Sequence, residues 1–384
     1  MRVRPRPALP GRCAFPSTRF HVSMFTAIDH AHMARALRLA ARGLFTTQPN
    51  PRVGCVLAHG ERVVGEGWHA RAGEPHAEVH ALRQAGADAR GATAYVSLEP
   101  CAHHGRTPPC ADALVAAGVA RVVVAAEDPN PRVDGRGLEK LRAAGIAVEC
   151  GLMREAAREL NCGFFSRLER GRPWLRLKLA MSLDGRTALA DGASKWITGE
   201  AARADVQRWR ARSSALLTGS GTVLADDPRL TVRLPEGAGC VPPLRVVLDR
   251  TLRTPASAHV LDADAPTLLL HAPDAARPAH VAAVECAAVA TRDGRLDLEA
   301  ALRLLAAREV NELQVEAGPT LAGALFAAGL VDELLLYVAP VLLGDAARPL
   351  LALPPLAEMA RRWRLRTIDQ RPLGDDWRLR LRPA

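Results

Sequence analysis

The sequence predicts two α/β domains in series, the first built on a mixed sheet flanked by helices. Three observations carry that expectation. The chain of 384 residues exceeds what one hydrophobic core usually serves. From Phe25 onward, helix-like and strand-like segments alternate. Near residue 170 the stretch LERGRPW interrupts the alternation with charge, Gly171 and Pro173. Residues 25–170 and 171–384 are therefore read as two domains, preceded by an Arg/Pro-rich extension over residues 1–24.

The extension holds Arg2, Arg4, Arg6, Arg12 and Arg19 and no acid up to residue 23, so it carries half of the net charge of +10. Its proline and glycine content predicts disorder. It is acid-poor like an organelle transit peptide but lacks an amphipathic helix, and Met24 is the preferred start. The remaining chain is only mildly basic, so no nucleic-acid partner is expected. The longest apolar runs fall short of a membrane span. Eight cysteines over this length fit a reducing, cytoplasmic setting. Cys13, Cys55, Cys150, Cys162, Cys240 and Cys286 read as packing residues.

AIDHAHMARALRLAARGLF has apolar residues at helical spacing, and TTQPNPRVGCVLAHGERVVGEGWH reads as a turn and two strands. EVHALRQAG continues as a helix, and GATAYVSLEPC as a glycine turn and a short strand. ADALVAAGVARVVVAAEDPNP is a helix followed by VVVAA, the pattern of a strand buried on both faces. The run β-β-α-β-α-β describes a mixed sheet with helices. In the second half, LRVVLD and LQVE read as strands. EAGPTLAGAL reads as a glycine turn opening a helix, and LLLYVAPVLL as an apolar strand that pairs across subunits of a homo-oligomer.

The chemistry is announced by His76-Ala77-Glu78, followed by Pro100-Cys101 and Pro109-Cys110. Residues two apart on a regular helix point to nearly opposite sides, so His76 and Glu78 converge only where a helix begins, with Pro75 in its first turn. One imidazole and two thiolates form a zinc set with an open position for a water. Glu78 is the group that would shuttle protons to a ring nitrogen and a departing amine. A closed structural zinc site would need a fourth protein ligand, which His103 or His104 could supply; both are read as loop residues near the substrate.

TTQPNPRVGCV, AGEPHAEVHAL and SLEPCAHHGRTPPC resemble the deaminase half of a bifunctional riboflavin-biosynthesis family. In that family a diaminohydroxyphosphoribosylaminopyrimidine deaminase is joined to a 5-amino-6-(5-phosphoribosylamino)uracil reductase. The eight residues between Cys101 and Cys110 set the chain apart from nucleic-acid deaminases, which usually have two there. LKLAMSLDGRTAL, SKWIT, LTGSGTVLADDPRLTVR and VEAGPTLAGALFAAGLVDEL resemble the reductase half in the same order. The resemblance covers nearly everything from residue 26.

It implies a cytidine-deaminase-like first domain and a dihydrofolate-reductase-like second domain, with Zn²⁺ and NADPH as cofactors and a phosphoribosylated pyrimidine as substrate. His76, Cys101 and Cys110 would hold the metal and Glu78 would move the protons. Ala180, Trp196, Thr222, Asp226 and residues Gly318, Pro319, Thr320, Leu321, Ala322, Gly323 and Ala324 would line the NADPH site. Ser194, Arg210, Leu230, Arg233 and Glu316 would hold the substrate, with Asn50 a further contact in the deaminase half. Lys178, between leucines, is read as an amine that polarises the sugar, Asp227 as its acidic counterpart, and Arg250 as a partner for the 2′-phosphate. Two other classes remain: an RNA-editing deaminase, which leaves the ADDP and EAGPTL segments without purpose, and a non-enzymatic zinc-stabilised binding module.

Overall fold

The computed structural model describes residues 25–102, 109–131, 133–235 and 239–384. The extension read over residues 1–24, and the loop residues His103 and His104, lie outside the described residues.

Helix α1 (Ala27–Ala40) starts at Thr26, whose hydroxyl accepts from the Asp29 N–H while the Asp29 carboxylate accepts from the Thr26 N–H. The first sheet follows. Strands β1 (Gly54–His59) and β2 (Arg62–Trp68) form the expected hairpin. Strand β3 (Thr93–Val96) is antiparallel to β1, and β4 (Arg121–Val124) and β5 (Ala147–Cys150) continue parallel. The spatial order is β2-β1-β3-β4-β5.

Helices α2 (Ala77–Ala85), α3 (Cys110–Ala117) and α4 (Arg136–Ala143) are interleaved with these strands, and α5 (Arg154–Leu160) and α6 (Cys162–Arg170) close the unit. Both faces of the sheet are covered. Val122 and Val124 enter one apolar layer with Ala81, Leu114 and Leu141, while Val123 enters the other with Met33, Ala36 and Phe165. That alternation is what the VVV run required. Gly65 and Gly67 set the seat of α2: a Cβ there would lie 2.2 Å from the Ala81 carbonyl and 2.5 Å from that of Ala77. Only glycine lets the helix that carries the motif settle so close to β2.

The second unit starts with β6 (Trp174–Ser182) and the short β7 (Arg186–Ala188), then α7 (Glu200–Arg212), β8 (Ala215–Gly219) and α8 (Ser220–Asp226). Strands β9 (Leu244–Leu248), β10 (Thr267–His271) and β11 (Glu285–Ala288) follow, then a small hairpin of β12 (Thr291–Arg292) and β13 (Arg295–Leu296). Helix α9 (Leu298–Ala307), β14 (Glu312–Val315), α10 (Pro319–Ala327) and β15 (Glu333–Ala339) complete the parallel part. The short β16 (Arg348–Pro349) pairs with β7, and the ribbon β17 (Leu365–Leu373) and β18 (Asp376–Pro383) ends the chain. The nine-strand order is β11-β10-β9-β8-β14-β6-β15-β18-β17, parallel except at β18.

Here one expectation fails. LLLYVAPVLL does not offer an edge to a second subunit, because β15 lies inside the sheet, hydrogen-bonded to β6 on one side and β18 on the other. Its apolar character answers to burial on both faces.

Period-two geometry gives β6 and β14 one apolar and one charged face. Leu175, Leu177, Leu313 and Val315 pack under α9 and α10. Arg176, Glu312 and Gln314 are buried on the opposite side. There Glu312 receives Arg176 at 3.1 Å, Arg212 at 2.7 Å and, from the first unit, Arg52 at 2.6 Å. Glu333 pairs with Arg176, Arg380 and Arg382, and the last two reach Glu159 of α5 at 2.8 and 2.7 Å. The two units are thus joined through buried carboxylates. Burial alone would raise the Glu333 carboxyl, yet Arg176 and Arg380 hold it down to about 2.

That depression is a stability contribution present above the ordinary carboxyl value of 4.5 and lost as pH falls through about 2. The urea midpoint should drop across that window. The drop should be shallower in Glu333→Gln, and equal slopes for the two proteins would contradict the assignment.

Candidate active sites

His76 occupies the N-cap of α2 and Cys110 the first position of α3, so both ligands sit where helices open. Pro75 precedes the cap and does not fill the first turn. Cys101 follows β3 in the loop beyond Pro100. The imidazole Nδ1 lies 3.6 Å from Cys101 Sγ and 3.3 Å from Cys110 Sγ. One ligand atom from each residue lies within 4.8 Å of the others. The Cys110 N–H donates to Cys101 Sγ at 3.3 Å. Hydrogen bonds from the Cys110 thiol and His76 hold the Cys101 thiol below its ordinary value, the direction a metal-binding thiolate needs. The donor set and its spacing fit a tetrahedral Zn²⁺ with one position left over.

Glu78 is buried beside these ligands, and burial pushes its carboxyl up to about 7. Its Oε2 has no hydrogen-bond partner. A carboxyl balanced near neutrality and free at one oxygen is suited to take and return a proton. The cavity it faces has a volume of about 590 Å³, and Asn50 lines it with its amide 3.0 Å from His69 Nε2. Motif reading missed three further residues on this wall: Asp128, Arg167 and Glu309. Burial pushes Asp128 up to about 6. The residues EDPNP after the VVVAA run gave no sign that Asp128 faces the cavity. Glu309 comes from the second unit, so no local pattern could have placed it here.

The second cavity, about 1490 Å³, opens at the carboxyl ends of β6, β14, β8 and β9, where open α/β sheets hold ligands. Lys178, Ala180, Ser194, Arg210, Thr222, Asp226, Leu230, Arg250, Glu316 and residues Gly318, Pro319, Thr320, Leu321 and Ala324 all line it. Arg210 makes two bonds to Glu316, at 2.7 and 2.8 Å. Burial pushes the Lys178 ammonium down, and Glu316 opposes it. Gly318 caps α10 with open space where a Cβ would stand, so the helix start is accessible to a phosphate. Arg253 and Arg295, which the sequence reading did not select, add cations to the same wall. A dinucleotide phosphate fits this donor set.

Several expected residues lie elsewhere. Ala322 is buried, and Gly323 abuts Ala352, whose carbonyl would be 2.3 Å from a Cβ; neither lines the cavity. Trp196 is 70% exposed, with Arg203 over its ring, outside the wall formed by Ser194 and Lys195. Arg233 is exposed, its backbone N–H bonded to Gln207. Asp227 is engaged by His259 at 2.6 Å, so Glu316 and not Asp227 is the carboxylate that acts on Lys178.

Residues 26–126 match the cytidine and deoxycytidylate deaminase zinc-binding region, and residues 173–378 match the RibD C-terminal domain. The riboflavin biosynthesis protein RibD of Escherichia coli is 51% identical over 358 residues, covering 91% of this chain and 97% of that protein. The chain belongs to the RibD family. RibD of Haemophilus influenzae is 48% identical, covering 94% of this chain and 98% of its own length. Among solved structures, Acinetobacter baumannii RibD superposes with a TM-score of 0.87 at 46% identity, covering 93% of this chain and 99% of that one. The Thermotoga maritima deaminase/reductase gives 0.81 at 34% identity with the same coverage. As a RibD-family member the chain is a bifunctional riboflavin-biosynthesis enzyme, a zinc-dependent deaminase joined to an NADPH-dependent reductase of dihydrofolate-reductase-like fold. No helix among the described residues is long and apolar enough to cross a membrane.

The purified protein should carry one zinc per chain by atomic absorption. Cys110→Ser should lose most of it while keeping the thermal unfolding of the second unit, and full zinc retention would count against the ligand set.

Proposed function

We propose that this RibD-family enzyme deaminates 2,5-diamino-6-(5-phosphoribosylamino)pyrimidin-4(3H)-one and then reduces the ribosyl chain to give 5-amino-6-(5-phosphoribitylamino)uracil. The observation that carries the reading is the buried Glu78 carboxyl beside His76, Cys101 and Cys110, in one chain with a cation-lined cavity at a helix start. The domains are assigned as residues 25–170 and 171–384. The protein is proposed to act in the cytoplasm as a homo-oligomer, without nucleic acid or membrane.

His76, Cys101 and Cys110 would hold Zn²⁺, which would supply the Lewis acidity that makes a water nucleophilic near neutral pH. Glu78 takes a proton from that water, hands it to the ring nitrogen, and passes another to the amine leaving C2, so that the C2–N bond is exchanged for C2–O and ammonia departs. Asn50 orients the pyrimidine.

In the second cavity NADPH, when bound, would supply the hydride for C1′ of the ring-opened sugar. Lys178 polarises that carbon, held in its electrostatic setting by Glu316 and Arg210. Arg210, Ser194 and Leu230 seat the substrate, and residues 318–321 would receive the phosphates of the cofactor. Arg250, on the same cavity wall as Arg253, would meet the 2′-phosphate.

Glu78→Gln should retain zinc while ammonia release falls by about 10²–10⁴-fold; undiminished release would remove Glu78 from the mechanism. With wild-type protein and the diamino substrate, ammonia should appear without NADPH, and NADPH oxidation only after deamination. Oxidation that precedes ammonia release would reverse the proposed order.

A further inference from the structure

The wall of the deaminase cavity contains a segment that no helix or strand holds. Pro49, Asn50 and Pro51 line the cavity, yet residues 44–53 form turns and irregular backbone before β1 begins. Asn50 itself contacts His69, and its neighbours are gripped from both halves: Asn161 accepts from the Arg52 N–H at 2.8 Å and donates to the Arg52 carbonyl at 2.9 Å, while the reductase half holds the segment on its other side. Gln48 donates to the Arg212 carbonyl at 2.5 Å and pairs with the Ser214 hydroxyl. The Asn311 amide donates to the Pro49 carbonyl at 2.7 Å. Arg52 donates to Glu312 at 2.6 Å and to the Arg212 carbonyl at 3.3 Å. The same guanidinium reaches back to the carbonyls of Leu160 at 2.8 Å and Leu44 at 3.2 Å. Asn311 also accepts from Arg167 at 2.7 Å, and Arg167 and Glu309 stand on the same cavity wall.

We propose that Arg52 is a positioning residue for deamination: clamped by Glu312 of the reductase half, it holds segment 48–52 so that Asn50 faces the pyrimidine. The proposal rests on the deaminase reading of the first cavity. Its geometry gives it a direction. Arg52 sits two residues from a cavity-lining side chain, whereas on the reductase side Arg210 and Glu316 form their own pair and do not touch it. Loss of Arg52 still leaves Glu312 paired with Arg176 and Arg212, so the buried carboxylate stays compensated and the fold persists.

Arg52→Met is the test, with each half-reaction assayed separately. The KM for deamination should rise about tenfold with a kcat change under about threefold, a tenfold change corresponding to about 1.4 kcal/mol. Reduction of the already deaminated substrate should stay within about twofold of wild type. Arg52→Lys, which keeps one bond to Glu312, should recover most of the KM. In an Asn50→Ala background Arg52→Met should add nothing further. Equal losses in both half-reactions, an unchanged deamination KM, or effects that simply add in the double variant would overturn the proposal and leave the deaminase reading intact. Absence of ammonia release from the unaltered protein would instead overturn that reading.

Discussion

The molecule depends on a carboxylate that could not be buried alone. Glu312 is fully enclosed at the start of β14, and an isolated ion there would cost far more than the fold can supply. Three guanidinium groups, Arg52, Arg176 and Arg212, remove that cost, and one of them comes from the other half of the chain. Arg176 is shared with Glu333, which continues the network to Arg380, Arg382 and Glu159. Ion pairs of this kind fix geometry more than they add net stability. Because an N–H···O bond tolerates only a few tenths of an ångström, the network sets where the deaminase half sits on the reductase half. Alternation along β14 then places Glu312 and Gln314 on the charged face whose next member, Glu316, enters the reductase cavity. One strand face therefore serves the junction at its beginning and a catalytic pocket at its end.

Both cavities use the same elementary device. A helix start leaves N–H groups without partners and presents a partial positive charge. At α3 one such N–H is taken by the Cys101 sulfur, which steadies the thiolate form. At α10 the capping glycine leaves open space beside the corresponding groups, as the proposed phosphate site requires. The difference between the candidate metal site and the proposed dinucleotide site on these two sheets is then a matter of side chains. Thiols and an imidazole converge at one helix start, and small residues ringed by arginines at the other.

What could be read in the sequence was whatever depends on neighbours a few residues away. His76, Glu78, Cys101 and Cys110 lie on consecutive elements, and the intervals between them already demand helix starts and strand ends. The VVV run of β4 declared its two buried faces. The pairing of Arg52 with Glu312 joins residues 260 positions apart, and nothing local distinguishes either from a surface charge. Asp227 was misread for a related reason: its neighbour Asp226 lines the cavity, but the left-handed backbone at Asp227 turns the next carboxylate away to His259. Gly323 was expected at a phosphate because glycine permits close approach. The approach it permits is that of the Ala352 backbone, which only the folded chain reveals. The apolar LLLYVA run was legible as a strand but not as an interior one, since its antiparallel neighbour arrives from the end of the chain.

The charge balance takes on a different meaning once its location is known. Setting aside the arginine-rich first 23 residues, the rest of the chain carries a net +5. The wall of the reductase cavity contains seven lysines and arginines against three acids, an excess of four. Glu316 is among the acids and is neutralised in place: burial would raise its carboxyl, yet Arg210 holds it down to about 2. A basic protein is often read as one that follows a polyanion along its surface. Here an excess of that size is gathered around a single concave site, where a low-dielectric wall concentrates its field on a ligand the size of a dinucleotide. A cofactor with three phosphates and a substrate with one are the anions that such a pocket is built to collect.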